Sequence, residues 1–241
     1  MALKVHRWGE GPPLVCLHGV SGHGRRFIHL AKRLKDRTII APDLRGHGAS
    51  PKDPPWDVAT HIKDLIESIE EPFADWLGFS FGGRIAAQLA AQYPERVRSL
   101  ILLDAALHLP PPLARERAEG ARHGERYDNY EDAVRGQKDP DDPYETPREH
   151  LEEEVRENFT EENGVHLPKW EPAMVVVAYS EMSRPAPPPT DHPTLSVIGD
   201  ASWVPRAERG ETVVLRSGHG VLWDAFEETA AAVEAHLHRR P

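Results

Sequence analysis

The sequence predicts an α/β fold: a mostly parallel central sheet flanked by helices on both faces, with a helical cap inserted before the last two strands. Strand-like and helix-like stretches alternate over residues 1–104 and again over residues 191–241, which we assign to the core. Strands separated by helices of about 10 to 15 residues are typical of parallel sheets. Residues 105–190 interrupt the alternation, and we assign this insertion to the cap.

Hydrophobic patterning predicts the elements of the first core segment in order. Continuous apolar runs bounded by turn residues indicate buried strands, and apolar residues three or four positions apart indicate helices. The predicted strands cover residues 4–8, 14–17, 38–41, 74–78 and 100–103. The predicted helices cover residues 25–35, 58–69 and 82–93.

The second core segment repeats the same pattern. Residues 194–198 and 212–215 are predicted strands, and residues 222–237 carry the apolar spacing of a single closing helix. The chain of 241 residues is long enough to bury one substantial core.

The insertion is set apart by its composition. It holds 19 Asp and Glu against 10 Lys and Arg, and 12 of the 23 prolines of the chain. We expect a helical segment joined to the core by proline-rich hinges at residues 110–112 and 185–189. It contains no comparable strand before residues 174–179, a run that suits either a strand or a helix.

Charge and cysteine content exclude several function classes. A formal net charge of −10 argues against nucleic acid or an anionic membrane as a partner. No apolar run approaches the ~18 residues of a membrane span, and no secretory signal is visible, so we expect a cytoplasmic protein. The lone Cys16 excludes an internal disulfide and a cysteine-based zinc cage, and its apolar surroundings predict a buried, unreactive side chain.

The strongest chemical signal is a G-x-S-x-G motif at residues 78–82, with Ser80 at its centre. It lies between a predicted strand and a predicted helix, which is the setting of a nucleophile on a sharp turn. Such a turn needs small residues on both sides, here Gly78 and Gly82. The N-terminus of the following helix favours developing negative charge.

These residues resemble the nucleophile elbow of α/β-hydrolases, and three further blocks resemble the same family in the expected order. The blocks are residues 17–20, a His-Gly loop; residues 43–50, with an aspartate–arginine–glycine–histidine–glycine pattern; and residues 217–219, which end in a histidine. Together they span residues 13–238, with only the insertion unmatched. The resemblance implies the family's fold and its serine-based chemistry.

A serine hydroxyl is a weak nucleophile and needs an adjacent imidazole to take its proton. Among 14 histidines, His219 stands where the family's catalytic base lies, just before the last helix. The resemblance implies an oxyanion hole made by the backbone N–H groups of Val20 and Phe81. His18 and His47 belong to family blocks too, where we expect them to shape loops.

The acid of the triad departs from the family pattern. The usual position corresponds to Ser202, which cannot carry a negative charge. Asp200 lies two residues earlier, and Asp104 follows the preceding core strand, where some family members such as haloalkane dehalogenases carry the acid. Either carboxylate is able to orient the imidazole. We favour Asp104 and keep Asp200 as the alternative.

These residues predict a serine hydrolase that cleaves small to medium neutral carboxylic esters through an acyl-enzyme. Ser80 argues against dehalogenase and epoxide hydrolase activity, which in this fold use a carboxylate at the elbow. C–C bond hydrolases, lactonases, iminopeptidases and perhydrolases use the same constellation and stay as alternatives. So does a ligand-binding protein with weak catalysis, which the serine at position 202 favours. We expect a small-molecule acyl substrate, no cofactor or metal, and a monomer or homodimer.

The insertion would cover the active site and line its pocket with apolar side chains. The candidates are Leu107, Leu109, Leu113, Tyr127, Tyr130, Phe159, Trp170, Met174 and Met182, each of which serves equally well as core of the cap itself. We interpret the acidic run at residues 152–154 as a solvated helix face. The acidity of the cap would weakly disfavour anionic substrates.

Overall fold

The computed structural model describes residues 2–122, 124–139 and 142–239, so that both chain ends of the predicted core and three positions of the insertion lie outside the described residues. The strands are β1 (Val5–Trp8), β2 (Pro13–Leu17), β3 (Thr38–Pro42), β4 (Ala74–Phe79), β5 (Val97–Leu103), β6 (Phe159–Glu162), β7 (Val165–Pro168), β8 (Thr194–Gly199) and β9 (Glu211–Leu215). The helices are α1 (Ile28–Arg33), α2 (Val58–Ser68), α3 (Phe81–Gln92), α4 (Pro111–Ala121), α5 (Tyr130–Arg135), α6 (Arg148–Asn158), α7 (Pro172–Met182), α8 (Val221–Asp224) and α9 (Phe226–His238). Short 3-10 helices at Gly24–Phe27 and Pro94–Arg96 precede α1 and β5.

Seven of the described strands form one sheet in the order β1-β3-β2-β4-β5-β8-β9. β1 is antiparallel to β3, and the other neighbours in the sheet are parallel. The predicted mostly parallel sheet is therefore confirmed. The carboxyl ends of its parallel strands meet at one edge, which is where ligands bind in open α/β sheets.

Helices cover both faces of the sheet, as the sequence predicts. Successive side chains of β5 pack against helices on opposite faces of the sheet. Leu100 and Leu102 belong to the apolar cluster under α2 and α3, whereas Ile101 and Leu103 belong to the cluster under α1 and α9. Because both faces of the central strands are buried, they read as continuous apolar runs rather than as alternating ones.

The insertion lies between β5 and β8 and is not purely helical. Besides α4 to α7 it contains an antiparallel hairpin, β6–β7, where the sequence was expected to hold no strand. The turn is Asn163-Gly164, and both residues have positive φ angles, 55° and 82°. Type I′ two-residue hairpin turns require this conformation, which Asn-Gly adopts readily. Residues 174–179, left open between strand and helix, lie within α7.

The two proline-rich connections lie close to hydrogen bonds that join the insertion to the core. Pro111 begins α4, a position that suits proline because its missing N–H would have no partner there. The buried Arg84 of α3 donates to the carbonyl oxygens of Leu107, before the insertion's first helix, and Pro185, after its last helix. One guanidinium thereby ties both ends of the insertion to the same helix.

The closing helix also differs from the expectation of a single element over residues 222–237. It is divided at Ala225, whose backbone (φ −137°, ψ 50°) is not helical. This leaves the short α8, which ends at Asp224, separate from α9. In the described part of the chain, no helix combines the length and the apolar character needed to cross a bilayer.

Candidate active site

Ser80 occupies the sharp turn between β4 and α3, at the carboxyl edge of the sheet. Its φ angle of 54° is one that L-residues rarely adopt, and its side chain is buried. The turn is held because the Ser80 amide donates to the Leu103 carbonyl (3.1 Å) and the Ser80 carbonyl accepts from the Ala106 amide (3.1 Å). The strained turn projects the hydroxyl away from the sheet.

The glycines around Ser80 are required by close backbone approach. A Cβ added at Gly78 would lie 2.4 Å from the Gly82 carbonyl oxygen, and a Cβ at Gly82 would lie 2.3 Å from the Leu17 carbonyl oxygen. Both distances are far shorter than van der Waals contact. The steric requirement inferred from the motif is therefore confirmed.

We expect Gly78→Ala to lower the free energy of unfolding by about 1–3 kcal/mol, because the added methyl group forces backbone apart in a packed region. The measurement is thermal or urea unfolding. Gly120→Ala is the matched control: nothing lies within 4 Å of an added Cβ there, and this helical site should gain about 0.5–1 kcal/mol. Equal stability of Gly78→Ala and the unaltered protein would contradict the steric account.

His219 follows β9 on a turn that Asp224 holds in place. The Asp224 carboxylate accepts from the Ser217 hydroxyl and the Gly218 amide (3.2 Å each), and from the Thr146 hydroxyl of the insertion (2.7 Å). The His219 ring stacks on Phe79, with centroids 4.9 Å apart. Its Nε2 atom lies 3.0 Å from Ser80 Oγ. The structure thus brings together two residues 139 positions apart in the chain.

Asp104, rather than Asp200, lies beside His219. Its Oδ2 atom is 2.6 Å from His219 Nδ1, its Oδ1 atom accepts from the Gly199 amide (3.1 Å), and the Ser202 hydroxyl donates to Oδ2. Asp200 instead accepts from the Tyr144 hydroxyl (2.8 Å). Ser202, at the position where the family resemblance led us to look for the acid, therefore donates a hydrogen bond to the Asp104 carboxylate.

The loop with Val20 runs beside the elbow. A Cβ at Gly19 would lie only 3.0 Å from Ser80 Cβ, and Val20 and Ser80 line the same cavity. Across the residues that the structure describes, the amides of Val20 and Phe81 donate to no protein acceptor. Two backbone donors next to the hydroxyl are thus available to a ligand.

His18 fixes this loop without contacting Ser80 Oγ. Its Nδ1 donates to the Gly19 carbonyl (2.7 Å), and its Nε2 accepts from the Leu44 amide (2.9 Å), a pattern that assigns the proton to Nδ1. Burial lowers the pKa of His18 to about 3, so the ring is neutral near pH 7. The loop-shaping role expected for His18 fits these contacts.

A cavity of about 220 Å³ opens at Ser80 and His219 between the core and the insertion. Its walls combine aromatic and charged side chains. From the core they include Arg26, Phe79, Trp203 and Trp223, and from the insertion Glu125, Lys138, Asp139, Asp142, Leu151, Glu154, Trp170, Tyr179 and Met182.

Only some of the insertion residues that were predicted to line the pocket lie in the wall of the cavity. Of the nine apolar candidates, the described cavity wall contains Trp170 and Met182. Leu107, Leu109 and Met174 are buried in the apolar cluster shared with α2 and α3. Periodicity identifies an inward face, but it does not distinguish packing against a core helix from lining a cavity.

Glu154 overturns the interpretation of residues 152–154 as a solvated face. It is buried, forms a bidentate ion pair with Arg26 and accepts from the Asn158 side chain (2.9 Å). Burial alone would raise the pKa of Glu154, but the charges of Arg26 and His23 hold it well below its usual range. The Arg26 guanidinium also lies 4.7 Å from the centroid of the Trp223 ring.

Comparison with known proteins agrees with this architecture. The family model described as "alpha/beta hydrolase fold" matches residues 12–189. Lipase LipV of Mycobacterium tuberculosis is 39% identical over an alignment of 120 residues, which covers 47% of this chain and 46% of the lipase. A pimeloyl-[acyl-carrier protein] methyl ester esterase of Chromobacterium violaceum is 41% identical over 104 residues, 43% of this chain and 41% of the esterase. The matched region spans less than half the length of these relatives.

A solved structure matches this chain over nearly its whole length, in contrast to the sequence relatives. The crystal structure of E-2-(acetamidomethylene)succinate hydrolase superposes with a TM-score of 0.84 at 23% identity, covering 98% of this chain and 95% of that one. At this identity the likeness shows the fold alone.

Proposed function

Because this chain belongs to the α/β-hydrolase family, we propose that it is a serine hydrolase that cleaves small to medium neutral carboxylic esters through an acyl-enzyme. The observation that carries the proposal is the hydrogen-bonded line from Ser80 Oγ through His219 to the Asp104 carboxylate. A nucleophile, a base and an orienting acid are the groups that acyl transfer needs.

In the acylation step, His219 Nε2 takes the proton of Ser80 as Oγ attacks the ester carbonyl carbon. The carbonyl oxygen becomes an oxyanion, which the backbone N–H groups of Val20 and Phe81 would stabilise. A donor of this kind contributes about 2.7–4 kcal/mol to the transition state. The imidazolium then returns its proton to the alcohol oxygen, the C–O bond breaks, and the acyl group stays on Ser80.

In the deacylation step, water replaces the alcohol and the same groups act in the same order. His219 takes a proton from water, the hydroxide attacks the acyl carbon, and the proton passes to Ser80 as the acid leaves. Asp104 accepts from His219 Nδ1–H throughout, which keeps Nε2 free to receive a proton and stabilises the imidazolium.

The insertion would act as a cap that selects the acyl or alcohol group. Its aromatic and sulfur-containing residues Trp170, Tyr179 and Met182 offer apolar contact. Arg26 of the wall pairs with Glu154, and Asp139 pairs with Arg117, whereas Lys138 donates to the neutral Tyr144 carbonyl and keeps its charge. With Glu125 and Asp142 set against Lys138, the wall keeps a slight excess of negative charge, which supports neutral over anionic esters.

A panel of p-nitrophenyl esters tests this function. We expect turnover of acetate, butyrate and hexanoate esters, with a burst of p-nitrophenol equal to one acyl group per protein molecule if deacylation is slower. The matched control is the p-nitrophenyl hemisuccinate, similar in length to the butyrate ester but with a terminal carboxylate, for which kcat/KM should be lower. Absence of turnover on every ester, amide and lactone tried would contradict the proposal.

A further inference from the structure

Outside the catalytic cavity, His29, His150 and Glu153 converge where the core meets the insertion. One nitrogen of each ring and a carboxylate oxygen lie within 4.8 Å of one another. Glu153 Oε2 is 2.7 Å from His29 Nε2 and 3.8 Å from His150 Nδ1. The two rings meet edge to face, with centroids 5.2 Å apart.

Two different segments build this cluster. His150 and Glu153 are three residues apart on α6 and therefore project from the same face of that helix. His29 comes from α1 of the core, 124 positions before Glu153. The next residue of α6, Glu154, pairs with Arg26 and reaches the catalytic cavity.

Two imidazoles and one carboxylate are the donor set that divalent transition metals prefer, and three protein ligands leave a position for water. Metal–ligand bonds of about 2.0–2.2 Å place tetrahedral ligands about 3.4 Å apart. The two separations that involve Glu153, 2.7 and 3.8 Å, bracket that value, and the two ring nitrogens lie within 4.8 Å of each other. His29 and Glu153 are partly exposed, which gives an ion access from solvent.

The surrounding charges leave Glu153 available to a cation. The neighbouring arginines have other carboxylate partners: Arg25 pairs with Glu157 (2.8 Å), Arg26 with Glu154, and Arg156 with Glu152 (4.0 Å).

We propose that His29, His150 and Glu153 bind one divalent transition-metal ion, zinc or nickel rather than magnesium or calcium, and that this ion joins α6 of the insertion to α1 of the core. Magnesium and calcium are excluded because they require mostly oxygen ligands. The site is separate from the catalytic residues and does not depend on ester hydrolysis.

Thermal unfolding and calorimetric titration with zinc chloride test the site in the full chain. At free zinc about 100 times Kd, Tm should rise by roughly 5–10 °C, and EDTA should reverse the rise. Magnesium and calcium chloride should leave Tm unchanged. His150→Ala and Glu153→Gln should each weaken zinc binding at least about 100-fold, since losing even an outer partner of a ligand costs 10–100-fold.

Two controls separate this site from the other histidines. The exposed His108→Ala should bind zinc like the unaltered protein, and so should His219→Ala, which removes the imidazole of the catalytic cavity. Glu153→Gln retains the size of the side chain, so it guards against a variant that fails to fold. The proposal is overturned if zinc does not bind, if binding persists unchanged in both His150→Ala and Glu153→Gln, or if His219→Ala abolishes it.

Discussion

Replacing Ser80 with alanine should reduce kcat for ester hydrolysis by about 10⁶-fold, the loss seen when the nucleophile of a serine triad is removed. Without Oγ no acyl-enzyme forms, and only binding and the oxyanion donors remain. The fold should persist, because alanine at the φ angle of 54° is no more strained than serine. Steady-state kinetics on the best p-nitrophenyl ester, with Tm measured in parallel, checks both expectations.

Ser183→Ala is the matched control for this substitution. Ser183 lies just after α7, and its hydroxyl donates to the Ser180 carbonyl (2.7 Å). Its kcat should equal that of the unaltered enzyme. If Ser80→Ala retained more than about a thousandth of the activity, the hydrolysis would have to come from another nucleophile or from a contaminating enzyme.

Replacing Asp104 with asparagine should reduce kcat by about 10⁴-fold, as the same change does in the protease triad. An amide NH₂ facing Nδ1 favours the tautomer with its proton on Nε2, which cannot accept the proton of Ser80. The shape of the side chain is conserved, so we expect a folded protein. The measurement is kcat on the same ester, with the burst amplitude giving the fraction of active sites.

Asp200→Asn provides the matched control, since it makes the identical chemical change on the neighbouring strand. Asp200 contacts Tyr144 rather than His219, so its kcat should fall by less than about tenfold. Equal and minor effects of the two substitutions would mean that neither carboxylate orients the imidazole. A larger loss in Asp200→Asn would reverse the assignment.

The core of the fold could be predicted because local pattern and global structure agree there. Buried parallel strands appear in the sequence as continuous apolar runs. Gly78 and Gly82 indicate a tight turn with no room for a side chain at either position. The break at Ala225 was missed because the apolar spacing continues across it. The hairpin of the insertion was missed although Asn163-Gly164 is a strong hairpin signal.

The choice between Asp104 and Asp200 as the candidate acid required the three-dimensional structure. β5 and β8 are adjacent and parallel, with Leu103 opposite Val197, so Asp104 and Asp200 follow neighbouring strand ends. Sequence places both carboxylates near His219 but does not give the direction of either side chain. The hydrogen bond of Asp200 to Tyr144, a residue of the insertion, depends on how that segment packs.

The contacts between core and insertion escaped prediction for the same reason. Glu154 is buried because Arg26, 128 positions earlier, supplies its counter-charge. An acidic run reads as solvated when no partner is visible nearby in the sequence. The cluster of His29, His150 and Glu153 likewise has no recognisable ligand spacing, since its members come from α1 and α6.

Activation of the Ser80 hydroxyl by His219 is the central claim, and covalent labelling by a fluorophosphonate tests it most directly. After incubation, intact-mass spectrometry and peptide mapping should find one phosphonyl group per chain, carried by Ser80. Labelling should be absent in Ser80→Ala and slowed by several orders of magnitude in His219→Ala. An unlabelled native protein, or equal labelling rates with and without the His219 imidazole, would contradict the account.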